Sequence, residues 1–414
     1  MGDADMVLAK TEKDCCGCGT CSIVCPKHAI KMVENQRGFL YPKVDESTCI
    51  SCGACHKVCA FQNIQETNVP QKVYAIARKN RELLKKSASG GVFAGFAEAV
   101  IQHGGVVYGA ALLQKQGTLV PCHIAATSQE ELERLYGSKY VQSSLNDSFR
   151  LVKQQLDAGR YVLFSGTPCQ IAALRAYLCR NYENLLTMDI VCHGVPSAKM
   201  FQDYIQLLSK QLGGPIETFY FRDKTSGWSL HAAVEFRTKH GERKRKNFSS
   251  DQSSYYELFL RSEIYRENCY HCPYASQHHP ADLTIGDFWG IDEEHPELLE
   301  PTGKLNANLG VSMLMVNTQK GADEFEKVQN EFIYEVSSFE AVARHNEQLN
   351  HPSIQGEHRD EILKLYQKKG FSVIDQQFKA RKRKERQIES VKYHLHHDIP
   401  EPLRKAAKRL LGKG

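Results

Sequence analysis

The residues best equipped for chemistry come early in the chain. Cys15, Cys18, Cys21 and Cys25 lie in CCGCGTCSIVCP, and Cys49, Cys52, Cys55 and Cys59 repeat the spacing 34 positions later in CISCGACHKVCA. C-x2-C-x2-C-x3-C is the spacing with which a loop binds a 4Fe-4S cubane. Cysteines at i, i+3 and i+6 of a tight turn aim three sulfurs at one small cube. The fourth thiolate comes from elsewhere, and where two such runs occur each lends its last cysteine to the other's cluster. Cys15, Cys18, Cys21 and Cys59 are thus expected to hold one cluster, and Cys49, Cys52, Cys55 and Cys25 a second. Gly17, Gly19 and Gly53 let the loops wrap closely. Zinc also uses C-x2-C pairs, but as four ligands in two separated pairs; two identical four-cysteine runs suit two cubanes better. Cys16 is one thiol too many and reads as a bystander.

A third constellation is scattered. Cys169 in SGTPCQ and Cys192 in DIVCHG each follow an apolar run, and Cys269 and Cys272 form the metal-hairpin spacing of NCYHCP. If the two apolar runs are neighbouring parallel strands, both cysteines open on the ligand-binding edge of the sheet. Those four are enough for a third 4Fe-4S cluster. Buried core thiols and a zinc site are the alternatives. Cys122 and Cys179 read as packing residues.

The chain has 414 residues and 15 cysteines. No secretory leader pattern opens it, and its longest apolar stretch, 91–113, is broken by Glu98, Gln102 and His103. The expectation is a soluble, cytoplasmic protein whose thiols serve metal or redox chemistry rather than disulfides.

The elements that would position these groups form an α/β (α+β) chain. Residues 1–64 make a bacterial-ferredoxin-like domain, and IQETNVPQK, which ends at Lys72, is a polar linker. From residue 73 strands and helices alternate: a helical run near 92–101, a strand at 106–113, a capping box at 128–131, a strand at 161–166, a helix at 170–178, a strand at 185–192 and an amphipathic helix capped by Ser197. That order favours a mainly parallel sheet. Beyond 215 the reading is mixed, with strands near 216–222, 230–238 and 309–317 and a helix near 254–266. The expected division is 1–64, 73–213, 214–355 and a basic helical tail, 356–414. SASGGV at 87–92 opens a helix after Lys85 and Lys86, and such glycines expose amides to an anion. YGSKYVQS at 136–143 places Lys139 among small polar residues.

Taken together, SASGGVFAGF, GSKYVQS, LFSGTPCQIAAL, DIVCHGVPS, CYHCPYA and IGDFWG resemble the beta subunit family of coenzyme F420 hydrogenases and dehydrogenases, over about residues 73–320. The resemblance implies that the 73–213 domain binds FAD beside a 4Fe-4S cluster, and makes Ser89, Gly90, Gly91, Lys139, Tyr140, Gln142 and Ser143 candidate flavin contacts. It implies an oxidoreductase passing electrons between a one-electron donor, ferredoxin or a partner subunit, and an organic two-electron acceptor. The family leaves the acceptor open; relatives among polysaccharide-synthesis proteins point to that pathway as one setting. A non-catalytic electron-relay subunit is the alternative. His193 could move a proton near the flavin, and Asp287 could bind substrate or shape a turn.

Residues 361–414 carry 15 Lys and Arg against 6 Asp and Glu, so the formal charge of +5 arises in the tail. A solvated helix is one reading. The other is peripheral contact with anionic lipid or an acidic partner, because Leu403, Ala406, Ala407, Leu410 and Leu411 share a helical face ringed by cations. Aromatic residues are too sparse there for nucleic acid.

Overall fold

A computed structural model describes Leu8 and residues 11–64 and 66–397. Two short helices, Thr20–Val24 and Ala54–Lys57, follow the left-handed glycines Gly19 and Gly53. Between them strands β1 (Ile30–Glu34) and β2 (Leu40–Val44) pair antiparallel. The two cysteine loops flank this ribbon.

The body is built on strands β3 (Lys72–Arg78), β4 (Val106–Lys115), β5 (Thr118–Ala126), β6 (Val162–Gly166) and β7 (Leu185–Ile190), followed by β8 (Ile216–Tyr220), β9 (His231–Arg237) and β10 (Arg243–Ser249), then β11 (Leu283–Asp287), β12 (Ser312–Val316) and β13 (Phe332–Ser337). Eight of them form one sheet in the order β13-β3-β12-β11-β7-β6-β4-β5, and β10-β9-β8 form a second. The expected mainly parallel sheet is corrected to a mixed one. Its centre, β4, β6, β7 and β11, is parallel; its flanks pair antiparallel. The reason is the connections. Gln116 and Gly117 both have positive φ and make a two-residue hairpin loop that returns β5 beside β4. The large sheet draws strands from both sides of residue 213, so the expected 213/214 division does not separate two sheets.

Local signals hold where they are strong. Ser197 caps the Ala198–Leu212 helix by accepting from Met200 N at 3.2 Å. Ser128 caps the Gln129–Glu133 helix, but the Glu131 carboxylate turns back to the Thr127 N–H and hydroxyl rather than closing a box on Ser128. The Pro168–Leu178 helix is buried on nearly every side because it lies under the large sheet: Ile171, Ala172, Ala173 and Leu174 have no exposure. The apolar stripe of the Val92–Gln102 helix, Phe96, Ala97 and Val100, packs on the sheet's other face with Leu163, Leu186 and Leu314. A second core of Phe201, Tyr204, Tyr255, Tyr256 and Phe259 fills the space beneath β8–β10.

The basic C-terminal region is helical at Arg359–Lys369 and Phe371–His397. The second helix is anchored to the body: Glu257 pairs with Arg381 and with Lys382 at 2.7 Å, and Asp375 accepts from Ser254 at 2.8 Å. The amphipathic face at Leu403, Ala406, Ala407, Leu410 and Leu411 lies outside the described residues. No helix among those described is long and apolar enough to cross a membrane.

Where Gly90 threads between β3 and β12, a Cβ would stand 2.2 Å from Ile76 O and 2.6 Å from Ser312 N, both backbone atoms. Gly90→Ala is expected to lower stability by about 1–3 kcal/mol, read as a fall in the urea midpoint with an unchanged slope.

Candidate functional site

Strand ends make the site. β6, β7 and β11 finish on one edge of the large sheet, and antiparallel β12 begins there, Asp287 standing opposite Ser312. A cavity of about 390 Å³ opens at that edge, lined by Ser165–Thr167 at the end of β6, Ile190 and Val191 at the end of β7, Ile285–Asp287 of β11, and Ser312. Its size is ordinary for a pocket that takes a cofactor or a small organic ligand.

Of the expected flavin contacts, Ser89, Gly91, Lys139, Tyr140 and Ser143 line this cavity; Gly90 and Gln142 do not. Gly90 is taken up by packing: its N–H donates to Ser312 Oγ at 2.8 Å and its carbonyl accepts from Arg78 N. Gln142 faces the cysteine module, donating to Cys16 O at 2.8 Å.

One end of the cavity suits an anion. Gly91 precedes the Val92–Gln102 helix in the left-handed region, φ 79°, and offers no side-chain cap. Val92, Phe93 and Ala94 line the cavity there, so the first-turn N–H groups and the positive end of the helix dipole are available to a ligand. Lys139 Nζ donates to the carbonyls of Leu135, Tyr136 and Gly137 at 2.9, 2.8 and 3.1 Å. Burial pulls its pKa down to about 7; three carbonyl acceptors call for three N–H donors and so favour the ammonium form. Lys224 ties Leu84, Ser89 and Leu309 together through the same three-carbonyl arrangement, at 2.9, 2.6 and 2.5 Å.

The other walls are aromatic and hydrogen-bonded. Trp289 stacks on Trp228 at 4.8 Å, with the Arg222 guanidinium 5.1 Å over its ring. Asp287 accepts from Arg222 at 2.7 Å and from Trp228 Nε1 at 2.9 Å, so it is an ion-pair partner in the cavity wall. His193 also lines the cavity, its pKa lowered by burial. His123 is positioned by a chain: Gln170 Nε2 donates to Ser143 Oγ, Ser143 lies 2.9 Å from His123 Nδ1, and His123 Nε2 lies 3.0 Å from Ser165 O. A carbonyl can only accept, so Nε2 carries the proton and Nδ1 accepts from Ser143.

The thiols fall into several groups. Cys15, Cys16, Cys18, Cys21 and Cys59 line one small cavity of about 30 Å³, so the last cysteine of the second run lies beside the first three of the first, with Cys16 among them. Cys15 and Cys25 sulfurs accept backbone N–H groups from Gly17 and Ala29 at 3.3 and 3.2 Å. Burial raises Cys55, with Cys52 and Cys49 adding repulsion, which places those three together. Burial raises Cys192 and also Cys272, the latter to about 12, with repulsion from Cys269 next in each case; these three form a further group. Cys169 lies with its sulfur 3.2 Å from Thr167 Oγ1. Its thiol meets Cys16, which also contacts Cys18. Cys16 thus stands between the N-terminal thiols and Cys169. Among the described residues no three His, Cys, Asp or Glu side chains gather as a site for one metal ion.

Spacing could not reveal His123, Arg222, Trp289 or Arg266. Each acts through a partner that only the fold supplies.

Because burial holds the His123 pKa at about 4 against an ordinary 6.5, its neutral form contributes stability above pH 6.5 that is lost as pH falls towards 4. Between those limits wild type is expected to lose up to about 3 kcal/mol more than His123→Gln, measured by urea unfolding at stepped pH.

Residues 159–342 match the family described as the C terminus of the coenzyme F420 hydrogenase/dehydrogenase beta subunit. Residues 14–63 match the 4Fe-4S dicluster domain. No curated protein matches the chain. The chain is similar to a chain in the xenon-derivatised F420-reducing NiFe hydrogenase complex from Methanosarcina barkeri, with 17% identity and a TM-score of 0.41 over 75% of this chain and 91% of that one. The chain is thus similar, through residues 159–342, to the coenzyme F420 hydrogenase/dehydrogenase beta subunit family, with a match to the 4Fe-4S dicluster domain ahead of it.

Proposed function

We propose that this chain is a flavin-carrying iron–sulfur oxidoreductase subunit that exchanges electrons between a one-electron protein donor and an organic two-electron acceptor. One observation carries the reading. Thr167 and Ile190 line the cavity, and two residues beyond each come Cys169 and Cys192. The same two strand ends deliver the cavity wall and the thiols behind it, which supports a reading in which a ring bound in the cavity would exchange electrons with a cluster on those thiols.

Cys15, Cys18, Cys21 and Cys59 hold one 4Fe-4S cluster, and Cys49, Cys52, Cys55 and Cys25 a second. Cys192, Cys269, Cys272 and Cys169 hold a third. When bound, the clusters supply one-electron transfer and FAD supplies two-electron chemistry at an organic acceptor. The protein's own work is positional. Gly91 leaves the helix amides open to a pyrophosphate, and Lys139 adds a buried positive charge beside them. The Trp228–Trp289 pair offers a flat face, and Arg222 is kept in place by Asp287. His123 and Ser143 give the wall a fixed pattern of donors and acceptors. A donor such as ferredoxin or a redox subunit docks at the exposed loop around Ile50 and Cys52.

Anaerobically purified full-length protein is expected to contain about twelve irons and about one flavin per chain, with little zinc. Lys139→Met is expected to weaken flavin retention at least tenfold while leaving iron unchanged, because Lys139 touches none of the thiols. Iron without flavin in the wild type leaves only the relay role; zinc without iron removes both.

A further inference from the structure

Arg266 sits three residues before Cys269, and among the described residues it is the largest side chain with no exposure. Its guanidinium is wedged between the dicluster module and the body. Nε donates to Cys15 O at 2.8 Å, Nη2 donates to Leu40 O at 2.8 Å and approaches Cys15 Sγ at 3.7 Å, and Nη1 lies 3.4 Å from Gln142 Oε1. Tyr41 and Phe39 cover it, their ring centres 4.1 and 5.6 Å away. Gly17 makes room: a Cβ there would stand 2.8 Å from Nη1.

These partners are neutral apart from one sulfur. Among the described residues no carboxylate pairs with Arg266, although neighbouring Glu267 pairs with Arg359 at 2.9 Å. A buried guanidinium without a counter-ion is costly, and so it is rarely kept. Cys15 gives up its proton when it binds iron, and a cubane held by four thiolates is anionic. The missing negative charge is thus on the far side of the Arg266–Cys15 contact.

We infer that Arg266 is the built-in counter-ion of the iron–sulfur centre held by Cys15, Cys18, Cys21 and Cys59, and that it makes this inner centre easier to reduce than the outer centre held by Cys49, Cys52, Cys55 and Cys25. This rests on the two-cluster reading of the N-terminal module. Reduction adds one electron and makes or breaks no bond, so a fixed positive charge stabilises the reduced form directly. The outer loop has the opposite surroundings. Ile50 is 57% exposed and Cys52 is exposed, so water and salt screen charge there. An electron arriving from a one-electron donor at the outer loop is therefore drawn inward, towards Cys16, Cys169 and the cavity. The residue that sets this gradient belongs to the segment carrying Cys269 and Cys272, which links the inner centre to the third thiol group.

The test is a spectroscopically monitored redox titration of anaerobically purified full-length wild type, Arg266→Gln and Arg266→Lys, with iron measured on each. In Arg266→Gln the reduction equilibrium of one centre should shift at least tenfold towards the oxidised form, or ~59 mV for one electron. Arg266→Lys, which keeps the charge, should shift less than half as far. The shifted signal should persist in Cys52→Ala. If Arg266→Gln loses iron that Arg266→Lys retains, the same pairing is supported, because the charge then holds the cluster itself. Unchanged midpoints in an iron-replete Arg266→Gln, equal effects of Gln and Lys, or loss of the shifting signal in Cys52→Ala would overturn the inference. A wild type without iron would instead overturn the reading beneath it.

Discussion

Four parallel strands ending on one edge impose the constraint under which the rest of the structure works. In β4, β6, β7 and β11 the chain leaves the sheet on the same side, and a residue just past a strand end can face either the open edge or the layer behind it. Thr167 and Ile190 take the first place; Cys169 and Cys192 take the second. The offset of two residues is short enough that cavity and thiols share a wall, so neither can move without the other. The apolar helix Pro168–Leu178, with four successive residues at zero exposure, fixes that wall from beneath.

The loops that complete the cavity are held by lysines instead of regular structure. Lys139 closes its own loop onto three carbonyls, and Lys224 ties residues 84, 89 and 309 into one unit. A hydrogen bond to a charged group contributes about 1.5–3 kcal/mol, and burial of each ammonium works against that gain. The outcome is a rim tied together by two lysines, of which Lys139 lines the cavity. Asp287 and Glu98 serve the opposite need: each neutralises an arginine, Arg222 and Arg78, at 2.7 and 2.8 Å. The cavity wall itself holds one cation paired with a carboxylate, Arg222, and one held only by carbonyls, Lys139.

How much of this was legible in the sequence depends on how local the cause is. The cysteine runs were legible because the geometry of a three-thiolate loop is set within seven residues, and the pairing of Cys59 with the first run follows from the repeat. Helix caps at Ser128 and Ser197 were legible for the same reason. The direction of the flanking strands was not: β12 and β13 are antiparallel because of where long connections return, which no period reveals. Gly90 and Gln142 sat in motifs that looked like cofactor loops, yet close backbone packing claims the first and the dicluster module claims the second. Arg266 was invisible, since its partner Cys15 lies 251 positions away. The place of Cys16 against Cys169 was not legible either, because spacing says nothing of a thiol that meets another 153 positions away.

That contact decides how electrons can be managed. A cluster module on a loose tether could carry charge by swinging; this one is pinned. Tyr274 donates to Ala60 O at 2.7 Å from a fully buried position, Asn68 and His279 exchange backbone hydrogen bonds at 2.8 and 2.9 Å, and Gln142 and Arg266 reach into the Cys15–Cys18 loop. At about 1 kcal/mol for each neutral bond, and more for those of the guanidinium, undocking leaves several buried polar groups unpaired at once. Distances between the thiol groups are then fixed by packing, and the module has no swing with which to favour one direction. What remains adjustable is the charge beside each group: an exposed outer loop open to water, and an inner one pressed against a cation. In a rigid assembly a difference of surroundings performs the task that motion performs in a flexible one.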